Sequence, residues 1–525
     1  VTDTPYLLAE SVALTPHVVG WPAWWGNVAP GAAAFVVAHQ QLRLLKSYLR
    51  DPAMHLRAAA MNASGAAFLD APVERAADVA ELAATCEREY GDSIALANDL
   101  AAFMTRLLTE ARGQSLEPFY RELPGSLRGY VELVYDYYNR ASIRLDEGML
   151  YRSAHHKPHL QQLAFQPVAR DADRPFFLSG LRLPGGAPTW TVPFGDPRVK
   201  ALAALDVNPR PLGYIRELLG DAWSDAIAAC FVPGAPRSAP PAGNELRIKY
   251  FGHACVLVEH EGRSALVDPF IGPKPSSADA APRYGFGDLP ERIDYAVITH
   301  AHPDHFDLET LIRILPRVGE LLVPKNMGLL VGDVSLAMLA RSIGFTNVRE
   351  VGSFEGVPFG EGEILAVPFF GEHGDVAHIN KAGWVVRAAG QQILFAADST
   401  AHDIELYRRL RGALGDIDTV FMNTEAKGSP LSWTYDALFP RVRDRRIEAD
   451  RRCRGSNAEE GTAVVQTLGA RRVYNYALGL EPWVARIVGP SSGPSEESDR
   501  LLRNVGALGG VAVTRLQGPS TFTLS

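Results

Sequence analysis

Within the stretch THAHPDHFD (Thr299–Asp307), His300, His302, Asp304 and His305 fall inside six consecutive residues. Imidazole and carboxylate are the donors that a first-row metal takes. Four such groups at this spacing can serve two ions roughly 3.5–4 Å apart, which could act together on one small molecule. Burying the same groups without a metal would be costly, because each needs a polar partner. More candidate donors follow. Glu372 and His373 are adjacent in PFFGEHGD, and Asp398 lies in LFAADST. Asp268, in LVDPF, precedes the motif. The chemistry to expect is that of a paired metal centre.

The surrounding sequence supplies elements that could hold these groups. Tyr295–Thr299 reads as a short apolar strand ending at the motif. Leu246–Val258 and Ser264–Asp268 read as a strand pair around Glu261 and Gly262. Further strands are expected at Leu321–Pro324, Ile364–Pro368, Gly383–Arg387, Gln392–Ala397 and Val420–Asn423, with helices at Leu308–Ile314 and Val334–Ile343. Strands interspersed with helices predict a layered α/β domain over residues 246–525. Upstream, FVPGAPRSAPPAGNE (Phe231–Glu245) is too rich in proline and glycine for a helix or central strand, so 232–245 reads as a linker. Residues 1–231 form a separate, mostly helical α+β domain in this reading. Its helices are expected at Ala32–Arg50, at Val73–Arg112 with a break near Gly91, at Leu127–Leu145 and at Pro211–Ala229. Strands are expected within Leu160–Val168 and Pro175–Val192.

Composition narrows the function classes. The chain has 525 residues, 47% hydrophobic and 21% charged, which is ordinary globular composition. A net charge of −8 disfavours general nucleic-acid binding, which needs a broad basic surface. Cys86, Cys230, Cys255 and Cys453 are far apart and form no CxxC pair, which argues against a disulfide scaffold, a cysteine zinc site and iron–sulfur clusters. That usage suits a reducing cytoplasm. No basic segment followed by an apolar one opens the sequence, and no run of about 18 apolar residues suggests a membrane span.

The His300–His305 motif resembles that of the metallo-β-lactamase-fold superfamily. Asp268 lies where that superfamily keeps a structural aspartate, and Asp398 where it keeps a metal-bridging one. Its zinc hydrolases usually add a histidine before the bridging aspartate and another near the end. Here Glu372 and His373 occupy the first region, and no histidine follows His402. The set is thus rich in carboxylate, which suits iron. The stretches YFGHACVLVEH, GDLPERIDYAVITHAHPDH, PFFGEHGD, LFAADST, RGSN and YALGLEPW, together with GWPAWWG and LEPFYRELPGSLRGYVELVYDYYNR upstream, resemble a family of haem-free di-iron monooxygenases, the β-hydroxylases of the chloramphenicol-pathway type.

That resemblance covers nearly the whole chain. It implies a metallo-β-lactamase αββα sandwich preceded by a mostly helical α+β domain concerned with dimerisation and access. It implies β-hydroxylation of an aminoacyl thioester carried on the phosphopantetheine arm of a nonribosomal-peptide-synthetase carrier domain. The cofactor would be an oxo- or hydroxo-bridged pair of irons, with O₂ as cosubstrate and an external electron donor, and the enzyme a homodimer. Carried over residue by residue, His300, His302 and Glu372 hold the first iron, Asp304 and His305 the second, and Asp398 bridges. His373 competes with Glu372 as ligand, or stands behind it as a hydrogen-bonding group. A dizinc hydrolase of a thioester, lactone or phosphodiester is the alternative, and a scaffold without catalysis is a third reading that the full donor set disfavours.

Several further residues carry two readings each. Glu425 and Glu481 resemble acids near the family's site, with Glu425 a catalytic candidate. Trp433 and Tyr435 either line the pocket or belong to the core. Lys427 and Pro430 stand where substrate shape could differ. The arginine-rich stretch Arg441–Arg454 could dock a phosphate or an acidic carrier domain, or be a solvated face. His155, His156 and His159 read as surface histidines, and Trp21, Trp24 and Trp25 as packing or interface residues.

Overall fold

A computed structural model describes residues 4–61, 68–178, 180–240, 243–425, 427–439, 450–489 and 493–525. Its C-terminal part is built on two seven-stranded sheets. The first pairs, in order, Val348–Val351, Val318–Pro324, Ile293–Val297, Arg263–Val267, Cys255–His260, Leu246–Gly252 and Ser520–Leu524. The second pairs Gly356–Phe359, Gly362–Val367, Gly383–Ala388, Gln391–Ala397, Thr419–Met422, Arg472–Asn475 and Ala512–Arg515. Each sheet is antiparallel on one side and parallel on the other.

Alternation along the strands explains the layering. In Leu246–Gly252, Leu246, Ile248 and Tyr250 are buried while Arg247 and Lys249 are partly exposed. The buried set meets Trp384, Val386, Ile393, Phe395 and Phe421 of the other sheet in one apolar cluster. Outside the second sheet, Ala458–Leu468 and Glu496–Gly506 bury Val464, Leu468, Leu501 and Val505 against Leu394, Val420 and Met422. Leu308–Ile314 and Leu336–Ser342 pack with Ala296 and Leu321 of the first sheet. This is the expected αββα sandwich. Strands Arg263–Val267, Ile293–Val297, Gln391–Ala397 and Thr419–Met422 all end just before a candidate site residue. The carboxyl ends of parallel strands are where α/β sheets place their ligands.

The N-terminal part combines helices with small sheets. Trp21–Pro22, Val12–Val18, Gln161–Pro167 and Thr189–Thr191 form one sheet, and Arg210–Pro211, Pro5–Leu8 and Phe231–Pro233 another. Helices run at Pro30–Val36 and Leu42–Arg50, joined by a π turn, and at Ala76–Glu89 and Gly91–Glu110. The helix expected over Leu127–Leu145 is a β-hairpin instead, Val131–Tyr135 against Ala141–Leu145. Its turn explains the difference. Asp136 Oδ1 accepts from the amides of Tyr138 and Arg140, both at 2.8 Å, and Asn139 takes a left-handed φ of 57°. Aspartate and asparagine favour such turns over helix interiors. Of the strands expected in Pro175–Val192, only Thr189–Thr191 forms among the described residues.

The segment read as a linker is pinned at several points. Phe231–Pro233 pairs with Pro5–Leu8, the Arg237 amide donates to Asp206 O at 2.7 Å, and the Ala239 amide to Leu289 O at 2.8 Å. The two parts also share a core in which Trp24, Trp25 and Leu202 join Phe270, Phe306 and Leu336. Buried ion pairs cross the seam: Arg174 to Glu309, Arg313 to Asp206 and Arg283 to Asp171, each at 2.6 Å. His155 is not a surface residue. It is 7% exposed, with Nδ1 3.0 Å from Ser93 Oγ. His156 packs on Tyr151, and only His159 lies largely in solvent, near Glu89.

One buried histidine makes the fold pH-sensitive. His17 is enclosed, with Nδ1 donating to Thr15 O at 3.0 Å. Burial, aided by the charges of Arg182 and Arg174, lowers its pKa from 6.5 to about 4. The unfolded chain therefore takes up a proton that the folded chain refuses. Stability is expected to fall as pH drops from about 6.5 to about 4, by roughly 3 kcal/mol in total from this group. Denaturant unfolding at several pH values checks this, and His17→Gln should flatten the slope in that window.

Candidate metal centre

Strand Ile293–Val297 delivers the HxHxDH turn to the rim of the sandwich. The turn is closed by the His305 and Phe306 amides donating to His302 O, at 3.0 and 2.8 Å. Asp307 then caps helix Leu308–Ile314 by accepting from the Thr310 amide at 3.0 Å. Opposite lies the loop after Gly362–Val367. Gly371 has φ +75°, and a Cβ there would collide with the Thr400 side chain, so only glycine fits. Glu372 itself has φ +72°, and Asp268, Ala397 and His253 are also left-handed. Such backbone costs of order 1–3 kcal/mol per non-glycine residue and persists where the surroundings impose it, often at functional sites.

These segments bring the predicted donors together. Glu372 Oε1 lies 2.5 Å from His302 Nδ1, and Oε2 lies 3.9 Å from His300 Nε2. Asp398 Oδ2 lies 3.3 Å from His305 Nε2 and 3.8 Å from His300 Nε2. Three groups of donors each converge on a common point: His300 with His302 and Glu372, His300 with His305 and Asp398, and His253 with Asp304 and His305. His300 Nε2, His305 Nε2 and Glu372 Oε2 are buried without a hydrogen-bond partner. Native proteins rarely leave such atoms unsatisfied, so cations fit here, and the mixed imidazole–carboxylate donors suit iron.

The remote nitrogens indicate which atoms would face a metal. His300 Nδ1 meets Thr299 Oγ1 at 3.0 Å, His305 Nδ1 meets Asp268 Oδ2 at 2.8 Å, and His302 Nε2 meets the Tyr435 hydroxyl at 3.0 Å. Ligating histidines usually make this kind of outer contact. The atoms left to face a metal would then be Nε2 of His300 and His305 and Nδ1 of His302. Asp268 also accepts from the Thr299 amide and hydroxyl, both at 2.7 Å. Asn423 Nδ2 donates to Asp398 Oδ1 at 2.9 Å. His373 stands behind Glu372, with Nε2 3.2 Å from Glu372 Oε2 and Nδ1 2.7 Å from the Tyr435 hydroxyl. If His302 carries its proton on Nε2, it donates to the Tyr435 hydroxyl, which in turn donates to His373 Nδ1.

Burial and the neighbouring histidines push the pKa of His300 well below its usual value, which keeps its nitrogen available as a donor. Burial would raise the Asp304 carboxyl, but His305 and the hydrogen bond from His253 outweigh it and hold the group well below its usual range.

The donors line a cavity of about 750 Å³. Phe177 and Leu178 of the N-terminal part form one side, while Trp433, Ile487 and Val488 add apolar wall. The Phe177 amide is tied across the seam to Arg486 O at 2.8 Å. Glu425 also lines the cavity, its carboxyl pKa raised by enclosure and by the charges of Asp398 and Asp304. Lys427 and Pro430 lie on the same wall. Glu481 does not: it is buried beside Tyr250, whose hydroxyl donates to Oε1 at 2.6 Å. Trp433 reaches both cavity and core, packing on Phe176, and Tyr435 is buried behind the donors. Trp24 and Trp25 meet edge to face in the core, centroids 4.6 Å apart, with Trp25 reaching Tyr435.

Arg441, Arg443, Arg445 and Arg446 lie outside the described residues. Arg451 and Arg452 donate to the carbonyls of Gly374 and Gly428, and Arg454 pairs with Glu460. The sequence reading did not single out His253 or Asn423. Each sits just beyond a strand end, a weak signal that only the fold turns into proximity.

Known proteins resemble this chain over both of its parts. Residues 7–229 match the diiron non-heme beta-hydroxylase N-terminal domain, and residues 247–437 the beta-lactamase superfamily domain. A relative from Streptomyces venezuelae, the 4-amino-L-phenylalanyl-(CmlP peptidyl-carrier-protein) 3-hydroxylase, is 35% identical over 522 residues, spanning 97% of this chain and 98% of the relative. The crystal structure of CmlA, a diiron β-hydroxylase from Streptomyces venezuelae, superposes with a TM-score of 0.90 at 33% identity and covers 100% of both chains. A glutamate-to-aspartate mutant of the CmlA β-hydroxylase gives a TM-score of 0.88 at 33% identity, covering 99% of this chain and 100% of the mutant's. The protein belongs to the diiron non-heme β-hydroxylases, monooxygenases built on a metallo-β-lactamase fold.

Proposed function

We propose that this enzyme hydroxylates the β-carbon of an aminoacyl group held as a thioester on the phosphopantetheine arm of a nonribosomal-peptide-synthetase carrier domain. The observation that carries the proposal is a buried, carboxylate-bearing donor set on the wall of a cavity that both parts of the chain enclose. Such a cavity can admit a tethered substrate and keep bulk water from the reacting carbon. Its apolar wall of Phe177, Leu178, Trp433, Ile487 and Val488 suits an aliphatic side chain such as leucyl, or an aromatic one.

In this reading His300, His302 and Glu372 hold the first iron, Asp304 and His305 the second, and Asp398 bridges. The iron pair, when bound, supplies O₂ activation, with two electrons from an external donor. The protein does the rest. Asp268, Thr299 and Tyr435 orient the imidazoles, Asn423 holds Asp398, and His373 steadies Glu372. Glu425 stands where it can hold or move a proton at the cavity wall. Residues 1–231 serve access and dimerisation, 232–245 join the parts, and 246–525 carry the catalytic centre. A carrier domain and an electron-transfer protein are the expected partners. Cys86, Cys230, Cys255 and Cys453 are all free, which supports work in the cytoplasm. No helix among the described residues is long and apolar enough to cross a membrane. No observation here favours a dizinc hydrolase.

Loaded carrier domains incubated with reduced enzyme and O₂ test the proposal. Intact-mass analysis should show one oxygen atom gained on one aminoacyl species, and metal analysis about two irons per chain. Two zincs with thioester or lactone hydrolysis, and no oxygen gained, would replace it with the hydrolase reading.

A further inference from the structure

His253 sits on the turn between strands Leu246–Gly252 and Cys255–His260, outside the ligand set assigned above. It is 2% exposed, has φ +53°, and is held by the Ala477 amide donating to its carbonyl at 2.9 Å. Its ring lies 5.5 Å from that of His305 and meets the edge of Phe270. Its Nε2 is 3.0 Å from Asp304 Oδ2. The same Asp304 oxygen is the one that faces His305 Nε2, at 3.7 Å. Geometry alone therefore allows two roles: a further nitrogen ligand, or a donor that holds the carboxylate.

The other ring nitrogen decides between them. His300, His302 and His305 each make a hydrogen-bonding contact through the nitrogen that faces away from the centre. His253 Nδ1 is buried and has no partner. Were Nε2 bound to a metal, neutral His253 would carry its proton on Nδ1, and a buried N–H would be left without an acceptor. With the proton on Nε2, the N–H is satisfied by Asp304 and only a lone pair is left bare, the less costly arrangement.

We propose that His253 is a positioning residue of the second iron, donating Nε2–H to Asp304 Oδ2 and binding no metal itself. It aims the carboxylate and draws charge from the oxygen that the iron would meet. This rests on the di-iron reading of the site and goes beyond its ligand list.

Iron binding to metal-depleted full-length enzyme tests it, with His253→Ala, His253→Gln and His253→Phe beside the parent. Circular dichroism and retention of the first iron establish that each variant is folded. The second iron should bind about 10–100-fold more weakly to His253→Ala, with the oxo-di-iron absorption falling in parallel. The amide donor of His253→Gln should restore most of the loss. His253→Phe fills space without donating and should behave like the alanine variant. Pulsed paramagnetic resonance of the mixed-valence parent should count three histidine ligands. A fourth histidine nitrogen, unchanged second-iron affinity in His253→Ala, or equal rescue by Phe and Gln would each overturn the assignment. A parent that binds only zinc would instead remove the di-iron reading, an outcome the metal analysis separates.

Discussion

Replacing Glu372 with alanine is expected to lower bound iron from about two to about one per chain and to remove hydroxylation. Glu372 is the carboxylate that converges with His300 and His302. Its Oε1 lies 2.5 Å from His302 Nδ1 and its Oε2 3.2 Å from His373 Nε2. Alanine leaves both imidazoles facing a gap, and each unsatisfied buried group costs about 1–3 kcal/mol. His373 belongs to none of the converging donor groups, and its ring is held by Tyr435 at Nδ1 and by His378 stacked at 4.3 Å, so it is not expected to take the vacated place. Iron analysis alongside the carrier-domain mass assay checks this. Retention of both iron and product would take Glu372 off the ligand list.

The second large effect is expected at Asp268, which need not touch metal at all. It accepts from the Thr299 amide, the Thr299 hydroxyl and His305 Nδ1. Asp268→Ala strands all three donors at a fully buried position and should cost about 3–5 kcal/mol in stability, the range for breaking one partner out of a buried polar pair. Asp268→Asn separates folding from metal binding. With its amide nitrogen toward His305, the asparagine presents a donor where an acceptor stood. His305 then accepts at Nδ1 and carries its proton on Nε2, the atom that faces Asp398. The folded Asn variant should therefore bind iron poorly. Denaturant unfolding of the Ala variant and iron analysis of the Asn variant read the two effects apart.

The reach of sequence reasoning differs from residue to residue. His300, His302, Asp304 and His305 share one turn after one strand, so local spacing was enough to group them. The catalytic sheets were readable because their strands alternate or run apolar between clear turns. Glu372 and His373 could not be ranked by spacing. A left-handed φ at Glu372 sends one toward His302 and leaves the other against Tyr435. His253 lies 51 residues from Asp304, and Asn423 lies 25 from Asp398, so only the assembled sandwich makes them neighbours. In the N-terminal part, Val12–Val18 is buried at every position and contains Pro16, so it shows no two-residue rhythm. Leu127–Leu145 misled because its apolar residues also satisfy a helical spacing, while the Asp136–Asn139 turn chemistry was decisive.

Phe177 and Leu178 belong to the first part of the chain, yet they wall the chamber whose donors belong to the second. On the proposed reading, side-chain selectivity would therefore be a joint property of the two halves. Grafting either half alone onto a relative would mismatch the chamber even if both pieces folded, so new side-chain preferences are more readily acquired by coordinated change on both sides of the seam than by exchanging modules.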